Sequence, residues 1–166
     1  MWSKIVPSHR RRGVARRLLS EVAEVRMTDF ERRRGAIVGC LLGGAVGDAI
    51  GLPFEGLTRD QVARRLGDRP LGHSLIAGRG MISDDTEHAC MTGQALLAAP
   101  EDPDAFARSL AWRLRGWLLG MPASVGWGTL RAVVRLWLGW STERSGVASA
   151  GNGPAMRAAL LGACLA

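Results

Sequence analysis

The sequence has 166 residues, of which 47 % are hydrophobic, and a formal net charge of +7. This length suits one domain with its own core. The charge is uneven: residues 1–34 hold 10 of the 22 basic and 4 of the 15 acidic residues, which leaves the remainder with 12 and 11. Because that larger part is almost neutral and lacks a basic stripe interleaved with aromatic residues, we expect no nucleic-acid binding there.

Residues 1–30 are predicted to be a basic N-terminal extension. The segment RRRGVA at residues 10–15 resembles the acetyl-CoA loop of Gcn5-related N-acetyltransferases, and the resemblance covers residues 5–25. The strands that flank this loop in that fold are missing. We therefore interpret the extension as a relic of a fused gene, or as sequence upstream of a true start at Met27. A basic amphipathic surface helix is the alternative.

A helix is predicted over residues 31–51, with Glu31 in its first turn, where a negative charge complements the helix dipole. Glycines recur every four residues, at positions 35, 39, 43, 47 and 51. Each glycine costs a helix about 1 kcal/mol relative to alanine, so we expect another helix or a ligand to approach this ridge. Asp48 interrupts the apolar run before it reaches the roughly 20 residues that span a membrane. The prediction is a buried helix, with no membrane as a partner.

Four further helices are predicted from apolar spacing, over residues 59–66, 84–99, 104–119 and 129–140, with a glycine-rich loop over 67–82. The tryptophans at helical spacing, Trp112, Trp117, Trp127, Trp137 and Trp140, are predicted to belong to the core. The three cysteines show no C-x-x-C spacing. They indicate buried, reduced thiols and a cytoplasmic location.

A hydroxyl and two adjacent carboxylates, Ser83, Asp84 and Asp85, stand where the loop enters the second of these helices. Hard oxygen ligands suit Mg²⁺ or Mn²⁺ better than zinc. The same residues would also serve as a helix cap and as charges that complement the helix dipole. The stretch by itself leaves both interpretations open.

A small-residue loop enters the last predicted helix. Asn152 is a candidate cap, and Pro154 fits the first helical position. Backbone N–H groups in such a loop form an anion site, and an ordinary capped turn is the alternative.

Three separated segments share one resemblance: GCLLGGAVGDAIGLPFE at residues 39–55, SDDT at 83–86 and GNGPAMR at 151–157. In order and spacing they resemble the opening helix, the first metal motif and the Gly-Asn-Gly loop of the ADP-ribosylglycohydrolase family. The resemblance covers residues 31–166 and implies an all-α fold.

The family resemblance also implies a binuclear Mg²⁺ site, with Mn²⁺ as the alternative ion, and hydrolysis of the bond between ADP-ribose and a side chain or small acceptor. The partner would be an ADP-ribosylated protein or a small ADP-ribose conjugate. By position in the motifs, the implied catalytic residues are Glu55 and Asp85, and the implied metal ligands are Ser83, Asp84 and Asp85. The residues implied to hold the ribose-diphosphate are Ser149, Gly151, Asn152 and Gly153.

Two departures from the family pattern modify this expectation. Ser83 replaces the usual threonine, and its hydroxyl is still able to coordinate a metal. No second Asp-x-Asp-Thr motif follows Asp85, and the sequence stops within an apolar helical pattern. We therefore expect a truncated domain that corresponds to the N-terminal half of the family fold, with impaired hydrolysis. The alternative is a catalytically inactive remnant that is at most a nucleotide-binding module.

Overall fold

The computed structural model describes residues 29–122 and 124–165. The chain divides into two units, residues 1–34 and 35–166, and the described residues of the first, 29–34, begin the first helix. The predictions made for residues 1–28, namely the acetyl-CoA-type loop and the start at Met27, lie outside the described residues.

The described residues form α-helices, one short 3-10 helix over Leu52–Phe54 and no strand. The predicted all-α fold is therefore confirmed. The helices are α1 (Asp29–Gly51), α2 (Arg59–Leu66), α3 (Asp84–Ala98), α4 (Pro103–Leu119), α5 (Trp127–Trp137), α6 (Thr142–Ser145) and α7 (Ala155–Leu165). The predicted helix boundaries agree with these within three residues.

Short polar residues fix the starts of the middle helices. Thr58 accepts a hydrogen bond from the Gln61 backbone and receives the Gln61 side chain on its own N–H, which is a complete capping box. Asp102 accepts from the backbone N–H groups of Asp104 and Ala105, both at 2.9 Å, and Pro103 occupies the first turn of α4.

The core lies where α3, α4 and α5 meet, and its centre consists of Met91, Leu114 and Val133. Helix α7 packs on the other side of α3 through Leu160, which is 1 % exposed. A Cβ placed on Gly93 would lie 3.3 Å from Leu160, so the glycine lets the two helices approach closely. This arrangement places the beginnings of α3 and α7 on the same side of the core.

Helix α1 does not have the predicted burial. Ala49 is its only buried residue, while Leu42 is 64 % exposed and Val38 and Val46 are exposed as well. Nothing lies within 4 Å of a Cβ built on any of the five ridge glycines. The prediction of a buried helix was wrong for the described chain because none of its other helices packs along α1. By length and composition alone, Asp29–Phe54 could cross a membrane, and 6 % of its apolar window is buried.

The predicted core position of the tryptophans is wrong for four of the five. Trp117 packs against the core, but Trp112 and Trp127 are 69 % and 71 % exposed, and Trp137 and Trp140 are also exposed. The guanidinium of Arg115 lies 5.3 Å from the Trp112 ring centre. That of Arg135 lies 4.8 Å from the Trp140 ring centre. These two exposed rings thus make cation–π contacts at the surface instead of packing in the core.

All three cysteines are free, as predicted. Cys40 and Cys164 are partly buried, but Cys90 is exposed, so the prediction of buried thiols was wrong there. Cys90 lies on α3 and points away from the side chains that form the core on either side of that helix.

Candidate active site

Asp48, near the end of α1, attaches that helix to the start of α3. Its carboxylate accepts hydrogen bonds from the Ser83 backbone at 2.8 Å and from the Ser83 hydroxyl at 2.7 Å. It also accepts from the Thr86 backbone at 3.3 Å and from the Thr86 hydroxyl at 2.5 Å. Burial raises the pKa of Asp48, but these four hydrogen bonds outweigh burial and leave the pKa below its usual value.

Ser83 is the N-cap of α3, as the capping interpretation predicts. Its hydroxyl accepts from the Asp85 backbone N–H at 3.3 Å while donating to Asp48, and the residue is 4 % exposed. A hydroxyl has one donor and two acceptor positions, so one lone pair of Ser83 stays available to a cation. Capping and metal ligation are therefore compatible at this residue.

Four carboxylates gather around this helix start. Burial, followed by the charges of Asp85, Glu55 and Asp48, raises the pKa of Asp84 to about 6. Burial and the charge of Asp48 raise the pKa of Asp85. Burial and the charges of Asp85 and Asp48 raise the pKa of Glu55. The acidic residues thus repel one another, and a divalent cation would relieve that repulsion.

Glu55 reaches this cluster because the chain turns sharply after α1. Pro53 is buried in the 3-10 helix over Leu52–Phe54, and the Glu55 backbone N–H donates to the Leu52 carbonyl at 3.3 Å. The turn brings a loop glutamate, which is ordinarily a solvated residue, next to the carboxylates at the start of α3.

The small-residue loop that precedes α7 faces the same region. The Ser149 hydroxyl accepts from the Gly151 N–H at 3.2 Å, and the Asn152 carbonyl accepts from the Ala155 N–H at 2.7 Å. A Cβ on Gly128 would lie 2.8 Å from the Ser149 hydroxyl oxygen, so a glycine is needed where α5 approaches the loop. Helix α7 begins at Ala155, one residue later than predicted from Pro154.

Two cavities meet at the acidic cluster. One, of about 680 Å³, lies between the carboxylates and the loop, and its lining includes Glu55, Asp84, Asp85, Ser149, Gly151, Asn152, Gly153 and Arg157. The other, of about 500 Å³, lies between α1 and α7 and is lined by Asp48, Glu55, Asp85 and mostly apolar residues. The structure thus brings together all the sequence-predicted site residues except Ser83, which lines neither cavity and donates hydrogen bonds to Asp48.

The donor set has the chemistry that Mg²⁺ or Mn²⁺ prefers: carboxylate oxygens and hydroxyls, with no thiolate or imidazole among them. The carboxylates with raised pKa values are the groups that a cation would stabilise in their charged form. Within residues 29–122 and 124–165, however, no three side chains of aspartate, glutamate, histidine or cysteine form a group able to hold a metal ion. The residues therefore fit such an ion by type and charge rather than as a completed coordination shell.

Sequence reasoning did not identify three residues of this region. Asp48 interrupts an apolar run in the sequence, and a lone carboxylate in such a run is a signal for a buried polar contact. His88 and Arg157 were not assigned a role, yet Arg157 Nε donates to His88 Nδ1 at 3.2 Å. No local pattern connects those two residues, because 69 positions separate them.

Comparison with known proteins identifies the family. The ADP-ribosylglycohydrolase family model matches residues 29–166. An uncharacterized protein of Archaeoglobus fulgidus is 35 % identical over 131 residues, which are 74 % of this chain and 41 % of that protein. ADP-ribosyl-[dinitrogen reductase] glycohydrolase of Rhodospirillum rubrum is 35 % identical over 125 residues, which are 72 % of this chain and 41 % of the relative.

The chain thus spans about two fifths of the length of these curated relatives. The family match includes the acidic start of α3, Glu55 and the loop before α7, which line one cavity. From its sequence and its helical fold, the chain belongs to the ADP-ribosylglycohydrolase family.

Proposed function

We propose that this chain takes part in hydrolysis of the glycosidic bond that joins ADP-ribose to a protein side chain or a small acceptor. The observation that carries the proposal is the cavity of about 680 Å³, in which three carboxylates face a small-residue loop. The family membership and the name of the Rhodospirillum relative support the same class of reaction. The substrate is accordingly an ADP-ribosylated protein or a small ADP-ribose conjugate.

The loop residues Ser149, Gly151, Asn152 and Gly153 are proposed to hold the ribose-diphosphate part of the substrate. The N–H groups of Gly151 and of the first three residues of α7 already donate within this segment. Those of Asn152 and Gly153 would therefore face the negative phosphates, where the helix dipole also favours negative charge. The anomeric carbon would then lie toward the carboxylates, whose negative charge stabilises the positive charge that develops there.

Glu55 and Asp85 are the proposed catalytic residues. In the reaction the bond from the anomeric carbon to the acceptor breaks, and a water oxygen bonds to that carbon. One water proton passes to a carboxylate and the other stays on the new hydroxyl of the anomeric carbon. The carboxyl group then passes its proton to the departing acceptor. The raised pKa of Glu55, which is not one of the proposed metal ligands, suits a proton acceptor that works closer to neutral pH than an ordinary carboxylate.

We further propose that Ser83, Asp84 and Asp85 bind Mg²⁺, with Mn²⁺ as the alternative ion. A bound Mg²⁺ would supply a positive charge that orients hydroxyls and lowers the pKa of water. The chain's own contribution is to keep Asp84 and Asp85 adjacent and in the lining of the cavity, while Asp48 holds Ser83 and Thr86 in place. A cytoplasmic location and the absence of a membrane partner remain part of this proposal.

The test uses the chain as expressed, with ADP-ribosylated proteins and small ADP-ribose conjugates as substrates and mass spectrometry of released ADP-ribose as the readout. We expect release with Mg²⁺, little release with EDTA, and none from Asp85→Asn. Asp68→Asn, at an exposed loop position away from both cavities, is the matched control and should behave as wild type.

Equal release with Mg²⁺ and EDTA would contradict the metal part of the proposal. Retained release by Asp85→Asn would remove Asp85 from the catalytic site. Binding of ADP-ribose without any release would replace hydrolysis with the alternative, a nucleotide-binding module that has no turnover. If the chain neither binds ADP-ribose nor releases it from these substrates, the proposed function is overturned.

A further inference from the structure

A buried pair joins the two helices that carry the candidate site. Arg157, in the first turn of α7, donates through Nε to Nδ1 of His88 on α3, at 3.2 Å. His88 is 0 % exposed, and Arg157 is partly buried. A fully buried imidazole on one helix thus fixes a guanidinium on the other.

The environment of His88 determines how it binds Arg157. Its ring stands perpendicular to that of Trp117, with 4.5 Å between ring centres, and Trp117 Nε1 in turn donates to Glu87 at 2.6 Å. Because Nδ1 accepts the guanidinium proton, the neutral ring carries its own proton on Nε2. Burial, followed by the charge of Arg157, lowers the pKa of His88 to about 4, which is consistent with a neutral acceptor.

The guanidinium of Arg157 has further hydrogen-bond donors besides the one that His88 accepts from. Nε is used by His88, so the four N–H groups on its two terminal nitrogens remain. Among residues 29–122 and 124–165, the guanidinium of Arg157 makes no hydrogen bond besides the one to His88 and no salt bridge. The residue lines the 680 Å³ cavity together with Asn152 and Gly153.

A partly buried cation without a counter-ion is unfavourable, and burial lowers the pKa of Arg157 for this reason. The nearby carboxylates do not act as its partner. Within residues 29–122 and 124–165, no carboxylate forms a salt bridge with its guanidinium. An anion that enters the cavity would supply the missing negative charge.

We propose that Arg157 binds the diphosphate of the ligand through its terminal nitrogens, and that His88 is a positioning residue that holds the guanidinium toward the loop. The inference rests on the proposed function only for the identity of the anion as the diphosphate of ADP-ribose. Guanidinium groups suit phosphate oxygens because their donors form a rigid fork that makes two parallel hydrogen bonds.

The test measures binding by isothermal titration calorimetry with three probes: inorganic pyrophosphate, ADP-ribose and adenosine. EDTA is present throughout, so that no divalent cation bridges the anion to the carboxylates. Pyrophosphate isolates the anionic contact, and adenosine lacks it. Circular dichroism and thermal unfolding establish that each variant is folded before binding is compared.

We expect Arg157→Gln to weaken the binding of pyrophosphate and ADP-ribose roughly 10- to 100-fold, in the range of a lost charged hydrogen bond, and to leave adenosine unchanged. His88→Phe keeps an aromatic ring and removes the acceptor, so it should weaken both anionic probes as well. His88→Asn, whose side-chain oxygen can replace Nδ1, should restore most of the affinity. Arg131→Gln, at an exposed position on α5, is the matched control and should leave all three affinities unchanged.

The inference is overturned if folded Arg157→Gln binds pyrophosphate within twofold of wild type, or if wild type binds neither anionic probe. It is also overturned if His88→Phe and His88→Asn bind alike, because His88 would then act only by filling space. If Arg157→Gln does not fold, Arg157→Lys serves instead, and we expect it to weaken the anionic probes because it lacks Nε. Binding of pyrophosphate through Arg157 without release of ADP-ribose would support this inference while contradicting the proposed hydrolysis.

Discussion

At the scale of single residues, Asp48 determines whether the end of α1 stays attached to the start of α3. Four hydrogen bonds from Ser83 and Thr86 converge on its carboxylate. We expect Asp48→Ala to lower the free energy of unfolding by about 3 kcal/mol, because partly buried donors lose a charged acceptor. Urea denaturation measures this, with Asp68→Ala as the exposed control. A loss below about 0.5 kcal/mol would show that these hydrogen bonds contribute little.

His88 and Asp84 give stability opposite dependences on pH. The pKa of His88 is about 4 in the folded chain and 6.5 in the reference state, so the unfolded chain binds more protons between those values and stability rises with pH. The pKa of Asp84 is raised to about 6, so the folded chain binds more protons above 3.8 and stability falls with pH. The two dependences oppose each other from about pH 4 to pH 6.

Asp84→Asn should therefore expose the contribution of His88. In this variant we expect His88 to contribute a rise of about 3 kcal/mol in the free energy of unfolding from pH 4 to pH 6.5, at roughly 1.4 kcal/mol for each pKa unit. The raised pKa values of Asp85 and Glu55 act against this rise. The double variant Asp84→Asn, His88→Phe should lack this rise. Urea denaturation at several pH values measures both, and equal slopes in the two variants would contradict a neutral buried His88.

At the scale of the elements, the glycine ridge of α1 lacks the neighbour that its sequence predicts. Because nothing lies within 4 Å of a Cβ at Gly39 or Gly43, alanine at either position meets no steric conflict. We expect each substitution to stabilise α1 by about 1 kcal/mol through helix propensity. Amide hydrogen exchange along α1 measures the change, and Gly93→Ala, which would approach Leu160, is the control that should not stabilise. Faster exchange in Gly39→Ala would show that a partner packs on the ridge.

The helices were predictable from the sequence because their signals are local. The Thr58 capping box and the Asp102–Pro103 start determine where α2 and α4 begin. Burial was less predictable. Apolar spacing tells which residues share a face of a helix, but not whether another helix covers that face. For this reason the sequence predicts the boundaries of α1, α4 and α5 closely but not the exposure of α1 and of the surface tryptophans.

The candidate site likewise contains residues that the sequence identifies and residues that it does not. Glu55, Asp84, Asp85 and the loop before α7 were identified because they belong to contiguous motifs that resemble a family. Asp48 and the His88–Arg157 pair were missed because their roles depend on contacts between distant segments, 35 and 69 positions apart. The sequence shows which residues could form hydrogen bonds over such distances, but it does not show which of them come into contact.

At the scale of the whole molecule, binding of a divalent cation should change overall stability. Mg²⁺ at 100 times its dissociation constant would add about 2.7 kcal/mol to the free energy of unfolding. We expect the effect to be larger at pH 7 than at pH 5, because Asp84 is largely protonated below its pKa of about 6. Thermal unfolding with and without Mg²⁺ measures this. Asp85→Asn should abolish the gain, and an unchanged gain in that variant would place the cation elsewhere.

The contact between α3 and α7 leads us to expect a particular order of folding. Helices α3, α4 and α5 pack against their neighbours in sequence, whereas His88 and Arg157 close a loop of 69 positions. Distant contacts form more slowly, so we expect α7 to dock after the other three helices have assembled. Pulse-labelled hydrogen exchange during refolding tests this, and protection of α7 before α4 would contradict it. The cavity between the carboxylates and the loop is complete only when α7 has docked. Binding of a ligand there would therefore report the fraction of molecules that have completed folding.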